Sequence, residues 1–199
     1  MQGKLICIEG IDLSGKGTQA KKLLDYLKTK ENTDHIHYPD ESGPIGKTIY
    51  DFLHKKFDFN TETQFLLFFA DMLKDRDAIR EKLANGINVV LDRYFMSTAA
   101  YQGLNILQLN EISGMAETMK IPKPDIIVYI KISPETAAKR MGDASRADRL
   151  EEDINFQKNV VANYEKLAQN NFLGKWIEIN GEKSKDEVFE QIKNIVDSQ

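Results

Sequence analysis

Apolar positions along the chain fall into two alternating patterns. Short unbroken runs at Leu5-Ile6-Cys7-Ile8, 87–91, 126–130 and 176–179 read as strands buried on both faces, and 35–38 is a weaker run of the same kind. Between them the spacing turns helical. Ala20, Leu23, Leu24 and Leu27 recur at i, i+3, i+4 and i+7, which makes one apolar stripe. Segments 45–53, 61–83, 107–119, 134–140, 151–168 and 184–196 read as further helices. Strands alternating with helices give βαβ crossovers, so the pattern predicts a three-layer α/β protein: a mainly parallel five-stranded sheet with helices on both faces. Neither a repeat, nor a low-complexity segment, nor a linker rich in Gly, Pro or Ser interrupts it. Residues 1–199 are read as one domain.

Composition narrows the function. At 199 residues, 41% hydrophobic and 29% charged, the chain is an ordinary soluble globular protein. Its net charge of −4 speaks against a nucleic-acid partner, which usually demands a basic face. The single cysteine, Cys7, lies in an apolar run and reads as a buried strand residue. No apolar stretch approaches the about 20 residues that span a bilayer, so no membrane partner is expected. The first ten residues read as strand rather than signal peptide, which makes the cytoplasm the expected location.

Chemistry enters directly after the first strand, at Gly10-Ile11-Asp12-Leu13-Ser14-Gly15-Lys16-Gly17-Thr18. This fits the phosphate-binding pattern G-x-x-x-x-G-K between a strand and an amphipathic helix. In such a loop the glycines Gly10, Gly15 and Gly17 let backbone N–H groups turn toward phosphate oxygens, with Ser14 also at the ATP, the Lys16 ammonium reaches the β- and γ-phosphates, and the helix N-terminus adds positive potential. The hydroxyl that usually follows the lysine is displaced by one, from Gly17 to Thr18. Mg²⁺, the expected cofactor with ATP as donor, would then be held mainly by phosphates and waters, with Thr18 nearby.

With the loop placed, the chain resembles the thymidylate kinase family over nearly its whole length. The resemblance is carried by Ile8-Glu9-Gly10-Ile11-Asp12, by Tyr38-Pro39-Asp40 with Ile45-Gly46-Lys47, and by Leu66-Leu67-Phe68-Phe69-Ala70. It continues through Asp92-Arg93-Tyr94, 97–103 (Ser-Thr-Ala-Ala-Tyr-Gln-Gly), Pro122-Lys123-Pro124-Asp125 and Asp148-Arg149-Leu150-Glu151. It implies a P-loop kinase fold, ATP-dependent conversion of thymidylate to its diphosphate, a homodimer and a mobile lid at about 140–150. Arg93, at the carboxyl end of a strand, would hold the acceptor phosphate, and Asp92 would orient Arg93 or a Mg²⁺-bound water. Arg140, Arg146 and Arg149 would be the lid cations facing ATP. Position 13 is leucine, so the lid must supply the transition-state arginine, with Arg146 the candidate. Phe68 would stack on the acceptor base and Thr98 and Gln102 would meet its edge. Tyr101 would crowd the sugar 2′ position, and Asp12 would accept from the 3′-hydroxyl.

Two acceptor positions depart from the family. Glu41 and Met72 stand where relatives carry an arginine for the monophosphate and an arginine for the base carbonyl. On an unbroken helix Phe68, Met72 and Arg76 share a face, and Arg76 would lean back over Met72 to replace the second arginine. Lys47 lies near Glu41 in sequence. The alternatives are a kinase for another nucleoside monophosphate, which the adenylate-kinase-like Lys16-Gly17-Thr18-Gln19 would favour, and a non-catalytic nucleotide-binding module, which the combination of Lys16, Arg93 and lid arginines argues against.

Overall fold

The structure is a computed structural model that describes residues 2–142, 149–150 and 153–198. Its sheet contains β1 (Leu5–Glu9), β2 (Thr33–His37), β3 (Asn88–Asp92), β4 (Ile126–Lys131) and β5 (Trp176–Asn180) in the spatial order β2-β3-β1-β4-β5, every pair parallel. Because β1 is flanked by β3 and β4, the chain leaves the middle of the sheet in opposite directions. The crevice at the carboxyl ends of β1 and β3 is where such sheets bind ligands. Ile8 pairs with Asp92, which brings the two loops that follow these strands side by side.

Alternation along the strands divides the core in two. Leu5, Cys7, Val89, Leu91, Ile127 and Tyr129 face one layer, whose helices include α3 (Thr61–Leu73), α4 (Arg76–Ala84), α6 (Leu109–Thr118) and α8 (Ile154–Gln169). Ile6, Ile8, Val90, Val128 and Ile130 face the other, formed by α1 (Lys16–Lys28) and α9 (Lys185–Asp197). α2 (Pro44–Leu53) starts on Pro44 after the Tyr38–Asp40 turn, and α7 (Pro134–Met141) is capped by Ser133, which accepts from the Thr136 N–H at 3.1 Å.

Two helical expectations change. The single helix expected over 61–83 is two, α3 and α4. Tyr38 donates to Asp75 at 3.0 Å, and Lys74 pairs with Asp40, Asp71 and Asp75, so the joint is tied to the loop after β2 instead of continuing straight. A further helix, α5 (Phe95–Tyr101), did not show in the pattern because all seven of its residues are buried. A helix that is covered all round has no polar face to give it a period. The chain enters α8 at Ile154, where Asp153 caps by accepting from the Asn155 N–H at 2.8 Å.

Candidate active site

The loop after β1 is shaped by backbone that few side chains adopt. Gly10 has φ 149°, Leu13 φ 61° and Gly15 φ 96°, and a Cβ on Gly10 would stand 2.5 Å from the Ile130 carbonyl. Successive turns of this kind aim amide groups into one concavity at the start of α1. Asp12, Leu13, Gly15, Lys16, Gly17, Thr18, His37, Asp92 and Arg93 line the resulting cleft. Lys16 is buried, and its ammonium donates to the Ile11 carbonyl at 2.6 Å and stands 3.8 Å from Asp12. Burial, with the neighbouring charge of Arg93, pushes its pKa down to about 8 against the pull of Asp12, Asp92 and Glu9.

A second cavity lies beside the cleft, walled by α2, α3, α5 and the turn after β2. Asp12, Phe68, Arg93, Thr98, Tyr101 and Gln102 all line it, which brings six of the seven sequence-predicted acceptor residues together. Phe65 and Phe69 pack instead into the core against Phe95, with ring centroids 6.2 and 4.6 Å away. Among the described residues, Asp12, His37 and Arg93 alone line both spaces.

Arg93 is the hinge of this shared wall. It holds a left-handed backbone, φ 67°, and its guanidinium pairs with Asp12 and donates to Ser97 Oγ at 3.3 Å. Tyr101 donates to the other Asp12 oxygen at 2.7 Å and lies 5.3 Å below the guanidinium. Burial works against the Asp12 charge, yet Arg93 and Lys16 hold its carboxyl below the usual range. Asp92 is likewise lowered despite burial, by the His37 hydrogen bond and the nearby cations. His37 Nδ1 is 3.2 Å from one Asp92 oxygen, while the other is buried with no hydrogen-bond partner.

Beneath Arg93 lies a group that sequence reasoning missed. Glu9 is fully buried at the end of β1 and accepts from the Tyr94 N–H at 2.8 Å, from Ser97 Oγ at 2.7 Å and from the Tyr164 hydroxyl at 2.9 Å. Burial raises its pKa in spite of these donors. Since Ser97 spends its proton on Glu9, its oxygen faces Arg93 as an acceptor. A glutamate closing an apolar strand was the available signal.

The remaining predicted residues divide. Arg140 donates to the Leu13 carbonyl at 3.1 Å and the Gly181 carbonyl at 2.8 Å, against the phosphate loop. Arg149 is taken up on the acceptor side: it pairs with Asp58, donates to the Phe57 carbonyl at 3.1 Å and lies 4.5 Å over Phe52. Arg146 falls outside the described residues. Arg76 is a correction. The break before α4 takes it off the Phe68 face, its guanidinium is held by Asp77 and by the Met119 carbonyl at 2.9 Å, and it does not line the cavity, whereas Met72 does. Lys47 pairs with Asp51 at 3.2 Å, and Glu41 lines the acceptor cavity alone at its position.

A parallel sheet with a phosphate loop at its centre and an arginine-floored cavity beside it defines a P-loop nucleotide phosphotransferase. The thymidylate kinase family model matches residues 8–192, and the chain belongs to that family. A thymidylate kinase of Dictyostelium discoideum is 33% identical over all of this chain and 86% of its own length. One of Plasmodium falciparum is 31% identical over 96% and 88%. The solved thymidylate kinase of Candida albicans superposes with a TM-score of 0.79 at 31% identity, covering 99% of this chain and 92% of that one.

Two measurements test the electrostatics. Because the folded pKa of Lys16 lies below its unfolded value, the unfolded chain binds more protons between about pH 8 and 10.5, and stability from this group rises across that window. Lys16→Met should therefore abolish turnover yet raise Tm by a few degrees below pH 8, with the gain shrinking as pH climbs. A variant less stable than the parent at pH 7 contradicts this charge balance. For the buried network, Glu9→Gln offers an NH₂ to Ser97 and turns its hydroxyl toward Arg93 as a donor. The acceptor KM should rise about tenfold, as for a lost charge-assisted hydrogen bond, with the ATP KM unchanged. Tyr164→Phe should do the same more weakly. Equal changes in both KM values refute the link to Arg93.

Proposed function

We propose that this protein transfers the γ-phosphoryl group of ATP to thymidylate, giving the diphosphate. The observation that carries the reading is the wall of Asp12, His37 and Arg93 shared by the phosphate-loop cleft and the acceptor cavity, since in-line transfer requires donor and acceptor to meet there. ATP binds on the loop amides and Lys16, with Arg140 behind Leu13. The acceptor phosphate binds Arg93. Its base lies against Phe68, with Thr98 and Gln102 at the edge, and Tyr101, locked to Asp12, closes the 2′ side. Lys16 and Arg93 neutralise charge that spreads over the transferring group, and they are already fixed before it moves.

Mg²⁺ fits this site. The unpartnered, buried Asp92 oxygen stands beside the loop, and a Cβ on Gly17 would come 3.1 Å from the other oxygen, so residue 17 leaves room rather than a ligand. Asp92 and Thr18 would hold the ion through water, and the ion would neutralise phosphate oxygens when bound. Among the described residues no group of three or more His, Cys, Asp or Glu side chains could hold a metal by itself.

The homodimer rests on α3. Phe65 and Phe69 are buried in the chain's own core, while Leu66 on the outer side of α3 is 56% exposed and free to meet a second copy. Leu66→Glu should shift the protein from dimer to monomer in sedimentation velocity. A monomeric parent refutes the dimer. Among the described residues no helix is long and apolar enough to cross a membrane, and a cytoplasmic location accords with the use of ATP.

The reaction is tested by ADP release with a panel of deoxy- and ribonucleoside monophosphates. Thymidylate should be turned over, and deoxyribonucleotides should exceed the ribo forms by at least about 100-fold, an OH-sized discrimination of about 3 kcal/mol. Tyr101→Ala should narrow that gap. Equal rates on both sugars exclude the role given to Tyr101.

A further inference from the structure

The wall shared with the phosphate loop marks the phosphate end of the acceptor cavity; Phe68, Met72, Thr98 and Gln102 line this cavity but not the phosphate-loop cleft, which leaves them to the base. Its polar groups share one property. Gln102 is 1% exposed, and neither its amide oxygen nor its amide nitrogen has a hydrogen-bond partner. With no partner to fix it, the amide presents acceptor and donor in either order by a half-turn. The Thr98 hydroxyl also donates or accepts by rotation. Met72 offers a thioether, a weak acceptor and no donor.

A fixed donor is what would make the site insist on a carbonyl. Among the described residues, Arg93 is the one lysine, arginine or tryptophan lining this cavity, and it belongs to the phosphate wall, held by Asp12 and Ser97. Arg76, the cation the sequence suggested, is bound by Asp77 and Met119. The 4-oxo pyrimidine edge of thymine presents an N3–H donor and an O4 acceptor. The 4-amino edge of cytosine presents the reverse, an N3 acceptor and an N4–H donor. Gln102 pairs with either by flipping.

We propose that the acceptor site also takes 4-amino pyrimidine deoxynucleoside monophosphates, so that deoxycytidylate is phosphorylated alongside thymidylate. This rests on the acceptor reading given above. Gln102 supplies the bidentate contact to both bases, Phe68 stacks on both rings, and Tyr101 keeps the sugar requirement common to the two. Met72 is the permissive residue: its side chain lets the 4-substituent be an oxygen or an NH₂. The Glu41 and Asp71 carboxylates on the same cavity add no penalty against an amino group.

The test is steady-state kinetics of the full chain with ATP and Mg²⁺ on dTMP and dCMP. A kcat/KM ratio within about 100-fold supports the proposal, since a site with a fixed donor discriminates about 10⁴–10⁵. Gln102→Leu should lower both activities by a similar factor of at least 10. Met72→Arg should raise the dTMP to dCMP ratio at least 10-fold, because a fixed cation rewards O4 and repels the amino group. Thymidylate turnover with a ratio above about 100 overturns dual specificity and leaves the kinase reading standing. If neither nucleotide is phosphorylated, both readings fall. Loss of dTMP activity alone in Gln102→Leu overturns the flipping amide.

Discussion

Arg93 is a half-buried cation on a left-handed backbone, and its pairing with Asp12 is the contact on which the site depends. The two residues come from the segments that follow different strands, β1 and β3, whose register sets Ile8 opposite Asp92. Pairing them closes the crevice between the loops that follow. A non-glycine residue at positive φ costs of order 1–3 kcal/mol and persists only where its surroundings over-determine it. Here they do so from three sides: Asp12 in front, Ser97 at the side and the Tyr101 ring beneath. The conformation lifts the guanidinium off the strand and onto the boundary between the two spaces.

That arrangement needs the charges below it to be settled. Glu9 is fully buried, where an unpaired carboxylate would be costly, and three donors plus the field of Arg93 offset part of that cost. Its donors come from the start of α5 and from α8, so β1, α5 and α8 are tied at one point. The Tyr164 ring also stacks on Tyr129 of β4, 5.2 Å between centroids. A displacement of α8 therefore reaches the hydroxyl that faces Arg93 without passing through a loop.

The central strands β1, β3 and β4 were legible in the sequence because parallel strands buried on both faces leave continuous apolar runs, whereas the edge strands β2 and β5 are partly exposed and left weaker, mixed ones. The phosphate loop was legible because its glycines and Lys16 are tied to a spacing. α5 was not, since full burial erases the alternation that marks a helix. Nor was the break between α3 and α4. It is imposed by Tyr38 and Asp40 binding the joint from a segment some 35 residues earlier, a tertiary contact that local periodicity does not record. Arg76 was misplaced for the same reason. His37 and Glu9 were overlooked because a histidine at a strand end and a glutamate after apolar residues acquire meaning only when the neighbouring strands stand beside them.

The two departures from the family pattern then take on a common sense. Glu41 and Met72 remove positive charge from the acceptor cavity, leaving Arg93 as its one permanent cation among the described residues. A pocket with one permanent cation, placed at the end nearest the phosphate loop, concentrates binding energy on the acceptor phosphate, which every substrate of this reaction carries. What is left for the base is stacking and reversible hydrogen-bond donors. In the proposed reading, Phe68 would contribute stacking to either pyrimidine ring. The geometry thus separates two tasks that an arginine at the base would have joined: charge aligns the reacting group, and shape admits the base. Catalysis draws on the first, because only the phosphoryl group changes its charge distribution on the way to the transition state.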